Sequence, residues 1–339
     1  MKQNTHLPIL IVGVPRSGTT WTANVLAQAP NSWMLHEPDN EKINFLSFLW
    51  KRNYHRMPYI REDSDEPVLR AFWDHIFNRS FLLSNTVLNH SLLHLTGLSK
   101  KRLEERIVSK CSTVVKDNGA SNVYSSTEIL TTSLSRLSLA HYHSKHRIRI
   151  IKSVHSGLVI PFISSHFKPR IVVLFRHPAA VVASCLRMQL ADGNRRVFKQ
   201  TKLAEDYLQP YLADIKVLDD PLAAMGLQVA IFHHIWEKQL LENPDWISIS
   251  HEALCHDPER KFRQLYNSLD LEWTSQVSNY LRQHDVEGTD FDIQRRTSIE
   301  IDKWTREMTT EQIKSIRKGY ELVPCSYYED FNNTNAHIP

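Results

Sequence analysis

The sequence predicts an α/β fold: a central, mostly parallel sheet flanked by helices. Two apolar runs carry that reading. Leu7-Pro8-Ile9-Leu10-Ile11-Val12 leads through a glycine-bearing loop into a helix-compatible stretch, and Pro169-Arg170-Ile171-Val172-Val173-Leu174-Phe175-Arg176 leads through His177-Pro178 into another. Short continuous runs rich in branched residues read as strands buried on both faces. Their alternation with helical patterns gives a parallel sheet with helices on both sides.

Taken in order, the first strand is followed by a helix over Trp21–Gln28, which stops near Pro30, and by a short strand Trp33–His36 that ends at Glu37-Pro38. Residues 41–110 carry aromatics and charges at helical spacing, among them Phe45, Trp50, Phe72 and Trp73, and read as an inserted helical layer. A helix is expected over 121–143 and a strand over Arg149–Ser153. The helix after Pro178 should run from Ala179 to about Leu190, since proline is well tolerated just inside a helix start. Trp246–Ser250 reads as a last strand. An amphipathic helix then begins at Asp257-Pro258-Glu259, with Phe262, Leu265 and Leu269 on one face. Glycine is scarce and no Gly/Ser/Pro-rich linker interrupts the chain, so residues 1–339 are expected to form a single domain.

Hydrophobic content of 42% and charged content of 23% belong to an ordinary globular protein. The net charge of +4 suits a small polyanionic ligand but is too small to indicate nucleic acid. No secretory h-region precedes Gly13 and no run reaches the roughly 18 apolar residues of a membrane span, so a cytoplasmic protein is expected. Cys111, Cys185, Cys255 and Cys325 lie far apart, which indicates neither a zinc site nor a disulfide framework. The histidines of 141–146 suit an exposed helix end better than a metal site, and His233-His234 read as core or pocket wall. The sequons Asn78-Arg79-Ser80 and Asn89-His90-Ser91 carry little weight without a signal peptide.

The chemistry concentrates where strands end, as it does in open α/β sheets. Gly13 and Gly18 have the spacing of a Walker A loop, but Thr19-Thr20 stand where Lys-Ser or Lys-Thr would follow. The cation lies inside the loop, at Arg16. Pro15-Arg16-Ser17-Gly18-Thr19-Thr20 thus gathers a permanent cation, hydroxyls and helix-start amides, which together cradle an anion. Arg176 leaves a second strand end, where it can meet a second phosphate, and Ser184, two helical turns further on, joins it only if the chain bends back around that phosphate. Alone the two would read as a salt-bridged arginine and a capping or packing serine. Beside the first loop they read as a second anion site.

These two segments identify a resemblance. PRSGTTW at 15–21 and VVLFRHPAAVVAS at 172–184 resemble the 5′-phosphosulfate loop and the 3′-phosphate strand–helix signature of sulfotransferases that use 3′-phosphoadenosine 5′-phosphosulfate (PAPS). SHEALCHDPERKFRQLYNSLDLEW at 250–273 and KWTREMTTEQIKSI at 303–316 resemble that family's late helices. The resemblance implies a P-loop-like sulfotransferase architecture with an inserted helical layer, closer to bacterial and carbohydrate-directed branches because Arg16 stands where most members have lysine. It leaves 41–110 and about 190–245 uncovered, and these are the expected helical insertions around the acceptor.

By the same resemblance, Arg16, Ser17, Gly18, Thr19 and Thr20 would hold the 5′-phosphosulfate, with Trp21 bordering the adenine. Arg176 and Ser184 would hold the 3′-phosphate, and Arg295, Arg296 and Ser298, in a loop ahead of Trp304, would add to it although they lack the RKG pattern. Glu37 stands where related enzymes place a catalytic glutamate, with burial expected to raise its pKa. The competing base is His155, one residue late relative to the K-T-H segment of the cytosolic branch. On a strand, that slip would turn it to the opposite face. Lys152 would contact the transferring sulfate. No metal is implied. The acceptor is expected to be a small molecule or carbohydrate presenting a hydroxyl, or less favourably an amine, and the sequence leaves its identity and the oligomeric state open. The other readings are a P-loop kinase or hydrolase and a non-catalytic nucleotide-binding protein.

Overall fold

Five parallel strands in the order β2-β3-β1-β4-β5 form the centre of the computed structural model, which describes residues 7–41, 47, 50–51, 54–78, 148–190, 197–286, 301–329 and 331. The elements run β1 (Ile9–Gly13), α1 (Thr19–Leu26), β2 (Ser32–His36), α2 (Pro67–Asn78), β3 (Ile148–Ser153), α3 (Ile160–Phe167), β4 (Arg170–Phe175) and α4 (Pro178–Arg187). Then come short helical turns over 197–216, α5 (Pro221–Glu242), β5 (Ile247–Ser250), α6 (His251–His256), α7 (Pro258–Ser268), α8 (Ser275–His284), α9 (Lys303–Glu307) and α10 (Thr310–Tyr320). The expected helix over 121–143 lies outside the described residues.

Side chains that alternate along the strands divide the core into two halves. Leu10, Val12, Ile151, Val173 and Phe175 face one side, where they pack with residues of α3, α4 and α5. Ile9, Ile11, Ile150, Val172 and Leu174 face the other and pack with Trp21 and Val25 of α1 and Phe262 and Leu265 of α7. The amphipathic pattern read from 257 onward therefore points at the sheet as expected. Tyr266 adds a specific tie by donating from its hydroxyl to the Val25 carbonyl at 2.6 Å.

Of the segment 190–245, expected as a helical insertion, the described parts 197–216 and 221–242 are helical, and the second is a main support of the core. The 22-residue α5 buries Leu227, Ala230, Ile231, Phe232, Ile235 and Trp236 beneath β4. His233 and His234 lie within it as core residues, bonded to the Tyr320 hydroxyl and the Pro324 carbonyl. The segments 57–61 and 200–206 are clasped together. Buried Gln200 accepts from the Tyr59 amide at 2.7 Å and donates to the Met57 carbonyl at 3.0 Å. Arg61 reaches Asp206 with two nitrogens, each at 2.7 Å.

Helices α5 and α10 meet backbone to backbone. A Cβ on Gly226 would lie 2.1 Å from the Ile316 carbonyl oxygen, and one on Gly319 would lie 1.7 Å from that of Ala223. Glycine normally weakens a helix, so alanine would stabilise either position if space allowed. Because the obstacle is backbone, Gly226→Ala and Gly319→Ala should each destabilise the protein by about 1–3 kcal/mol, as overpacking does. Urea midpoints equal to or above the parent's would contradict this close approach.

Candidate active site

The carboxyl ends of β1 to β4 bring the predicted segments to one edge of the sheet. Parallel pairing sets Gly13 beside Leu174, Val12 beside Ser153 and His36 beside Lys152. The loop after β1, the chain after β2, the end of β3 and Arg176 after β4 therefore surround one region.

Tight packing shapes the first loop. Ser17 donates from its hydroxyl to the Val14 carbonyl at 2.5 Å, and its amide bonds the same oxygen at 3.0 Å. Arg16 (φ 73°) and Gly18 (φ 90°) are both left-handed. At Gly18 only glycine fits, because a Cβ would lie 2.2 Å from the His251 ring. Left-handed residues let backbone N–H groups converge into an anion-binding concavity. Gly18 also supplies the N-cap of α1 without a side-chain cap, so the positive end of the helix opens on this loop. Thr19 is buried, Thr20 is half-buried, and Trp21 packs edge-on against His251 and Phe262.

The two arginines form one unit. Arg176, itself buried, donates to the Arg16 carbonyl at 2.7 Å, and Arg16 donates from Nε to the Ser184 hydroxyl at 3.0 Å. Ser184, expected beside Arg176, thus bonds the cation of the other motif. Behind Arg176, the buried Glu252 carboxylate accepts from the His177 amide at 2.9 Å and from the Tyr328 hydroxyl at 2.6 Å. Burial pushes its pKa up, opposed by these bonds and by Arg176. The His177 ring stacks on Trp304 with centroids 4.4 Å apart.

Glu37 sits just past β2 in a left-handed conformation (φ 44°), its amide bonded to the Lys152 carbonyl at 2.7 Å. Its carboxylate pairs with Lys152 Nζ, accepts from Asn40 Nδ2 at 2.7 Å and lies 3.9 Å from His155 Nε2. The expected rise in its pKa is corrected here. Burial does push it up, but the charges of Lys152, His155 and His36 together outweigh burial and hold the carboxyl well below the usual range.

The face-turning argument against His155 also fails, because β3 ends at Ser153 and strand alternation no longer applies. His155 turns inward, with Nδ1 4.0 Å from Glu41. Burial, aided by the charge of Lys51, lowers its pKa to about 4 and keeps the ring neutral near pH 7. Burial pushes Glu41 up, yet Lys51, His155 and Arg56 together bring it down to about 2. Lys51 lies 3.4 Å from Glu41 and Arg56 3.1 Å.

Sequence reasoning missed Asp39, Asn40, Glu41, Lys51, Arg56 and Glu252. The charge density of Glu37-Pro38-Asp39-Asn40-Glu41 was a usable signal. Lys51 and Arg56 gave none, because their partner is fixed by tertiary packing. Arg295, Arg296 and Ser298 lie outside the described residues, as do 141–146, Arg79-Ser80 and the second sequon. Among the described residues, no group of three or more His, Cys, Asp or Glu could hold a metal ion, and no helix is long and apolar enough to cross a membrane.

A model of the Sulfotransferase family matches residues 8–275. The chain belongs to the sulfotransferase family. The match runs from β1 to the start of α8 and so includes the strand ends described above. No curated protein matches. The fold of this sulfotransferase is similar to that of the sulfotransferase domain of the Synechococcus PCC 7002 olefin synthase, at 17% identity over 94% of this chain and 96% of that one, with a TM-score of 0.43. It is also similar to the sulfotransferase domain from the curacin biosynthetic pathway, at 14% identity, 94% and 99% coverage and a TM-score of 0.43. Mouse sulfotransferase SULT7A1 complexed with PAP is similar at 9% identity, 93% and 83% coverage and a TM-score of 0.42.

Two tests follow from the geometry. Gly18→Ala should lower the melting temperature, since both its backbone angle and the His251 ring oppose a Cβ, and an unchanged value would contradict the loop's shape. His155 has a folded pKa of about 4 against 6.5 in the unfolded chain, so the unfolded state binds its proton first on acidification. Its contribution therefore falls as pH drops from 6.5 toward 4. His155→Asn should flatten the pH dependence of the urea midpoint in that window, and an unchanged slope would show that His155 is not buried neutral.

Proposed function

We propose that this sulfotransferase moves the sulfuryl group of PAPS to a hydroxyl, or less favourably an amine, of a small-molecule or carbohydrate acceptor. The observation that carries the reading is the bonded unit Arg176–Arg16–Ser184, which joins two cation sites on adjacent strand ends. A donor anionic at both its 5′-phosphosulfate and its 3′-phosphate fits such a pair. The Gly18 turn, where a Cβ would strike His251, and the opening of α1 without a side-chain cap fit its 5′ end.

In this reading Arg16, Ser17, Gly18, Thr19 and Thr20 hold the 5′-phosphosulfate and Trp21 lies toward the adenine. Arg176 and Ser184 serve the 3′-phosphate, joined by Arg295, Arg296 and Ser298. When bound, the donor supplies a sulfuryl group and a phosphate leaving group for in-line attack by the acceptor. Arg16 balances charge on the departing phosphate oxygen, and Lys152 turns from Glu37 toward the sulfuryl oxygens. Glu37 takes the acceptor's proton on a carboxylate oxygen. Once Lys152 turns away, burial raises the affinity of Glu37 for that proton. His155 is the second reading for the base, favoured by its neutrality and its 3.9 Å approach to Glu37. The kinase or hydrolase reading that the glycine spacing left open gives way to the family match.

Calorimetry with PAP, the desulfated donor, should show binding without magnesium, weakened at least about tenfold by Arg176→Ala through loss of a charge-assisted contact. Equal affinity for ATP, or an absolute need for magnesium, would overturn the donor assignment. Glu37→Gln should keep PAP affinity and lower kcat by about 10²–10⁴, the usual range for a general base. If His155→Ala abolishes turnover while Glu37→Gln leaves it intact, the base is His155.

A further inference from the structure

Asp39 is 1% exposed and follows Glu37 by two residues. A buried carboxylate is ordinarily matched by a cation, because desolvation of its charge is unfavourable. Here the partners among the described residues are hydroxyls. Ser153 Oγ lies 2.8 and 2.7 Å from the two carboxylate oxygens, and the Ser156 hydroxyl donates to Oδ2. Both serines are fully buried. Ser153 Oγ in turn accepts from the amides of His155 and Ser156, each at 3.0 Å.

The chain of contacts has one consequence for geometry. Ser153 ends β3, and its hydroxyl closes the turn that carries His155. With Asp39 accepting, the Ser153 proton points at the carboxylate, and its oxygen lone pairs are left for the two amides. On the Asp39 side, Asn40 holds the Glu37 carboxylate at 2.7 Å and donates from its amide to the Glu37 carbonyl at 3.1 Å. The segment after β2 and the turn after β3 are thereby pinned to each other, with Glu37 on one and His155 on the other. Such a polar network fixes the backbone of the groups it supports. The hold on His155 is through its amide, while its buried Nδ1 has no hydrogen-bond partner among the described residues.

We infer that Asp39 is a positioning residue, acting through Ser153 and Ser156 to set the His155 ring against Glu37 in the reaction centre. This rests on the reading of Glu37 and His155 as the proton-handling pair. A group that only stabilised the fold would lower donor binding and turnover together. A positioning group lowers kcat alone, and a misplacement of about 1 Å costs up to about 10²-fold.

The test combines kinetics with imidazole 15N NMR of His155 in the full chain, free and with PAP. Asp39→Ala should shift the His155 ring nitrogens in the free protein, leave PAP affinity within about twofold, and lower kcat about 10- to 100-fold with little change in acceptor KM. Asp39→Asn, which keeps the shape and one acceptor oxygen, should recover part of kcat. Ser156→Ala removes one hydroxyl bond and should shift the ring and lower kcat less than Asp39→Ala does, so a poorly folding Asp39→Ala leaves the inference testable. His155 resonances unmoved in every variant, or PAP affinity lost in proportion to kcat, would overturn it. A parent protein that fails to bind PAP would instead overturn the donor assignment, while the ring shift still decides the role of Asp39.

Discussion

The ion pair between Lys152 and Glu37 joins two neighbouring strand ends in a place with little access to water. It is reinforced by the Glu37 amide on the Lys152 carbonyl, so the same two residues meet through both backbone and side chain. Removing either partner would leave an uncompensated buried charge, which is far more unfavourable than the pair is favourable. The left-handed backbone of Glu37, the inward turn of His155 and the neighbouring Glu41 with its two cations are all arranged around this contact. The result is a row at the edge of the sheet in which two carboxylates, each paired with a cation, stand on either side of a neutral imidazole.

A second constraint lies across β1 from the first. Arg176 grips the backbone of the loop that carries Arg16, and Arg16 reaches over to Ser184 on α4. The loop's shape, the start of α1 and helix α4 are thus linked. Behind them Glu252, His177 and Tyr328 support Arg176 from the far side of the sheet edge, and Trp304 closes over the His177 ring.

The central strands β1, β3 and β4 were legible because burial on both faces forces largely apolar runs. The partly buried β2 and β5 were legible as short runs beside Pro38 and before Asp257-Pro258. The glycine loop was legible because few residues tolerate its backbone. Helix α5 was harder to interpret. It is buried around most of its circumference, so no polar stripe marks it as core, and it read as an insertion. At the site, Arg16, Arg176, Ser184, Glu37 and Lys152 were all visible as residues, but their pairings were not. The burial of Glu37 was legible, whereas Lys152, the largest of the charges that together reverse its effect, stands 115 positions away in sequence. The position of His155 was misjudged for a local reason, since an alternation rule was carried past the end of its strand. Asp39 went unread because its partners are two serines that sequence alone would leave as turn residues.

The central claim is that Lys152 leads the neighbouring charges that together override burial at Glu37, and carboxyl 13C NMR of Glu37 tests it directly. In the parent protein the carboxyl should stay ionised well below pH 4.5. In Lys152→Met, burial is no longer opposed by that charge, and the titration should move upward, past the parent value. Titration near 4.5 in both proteins would contradict the account, because it would mean that Glu37 is neither buried nor paired.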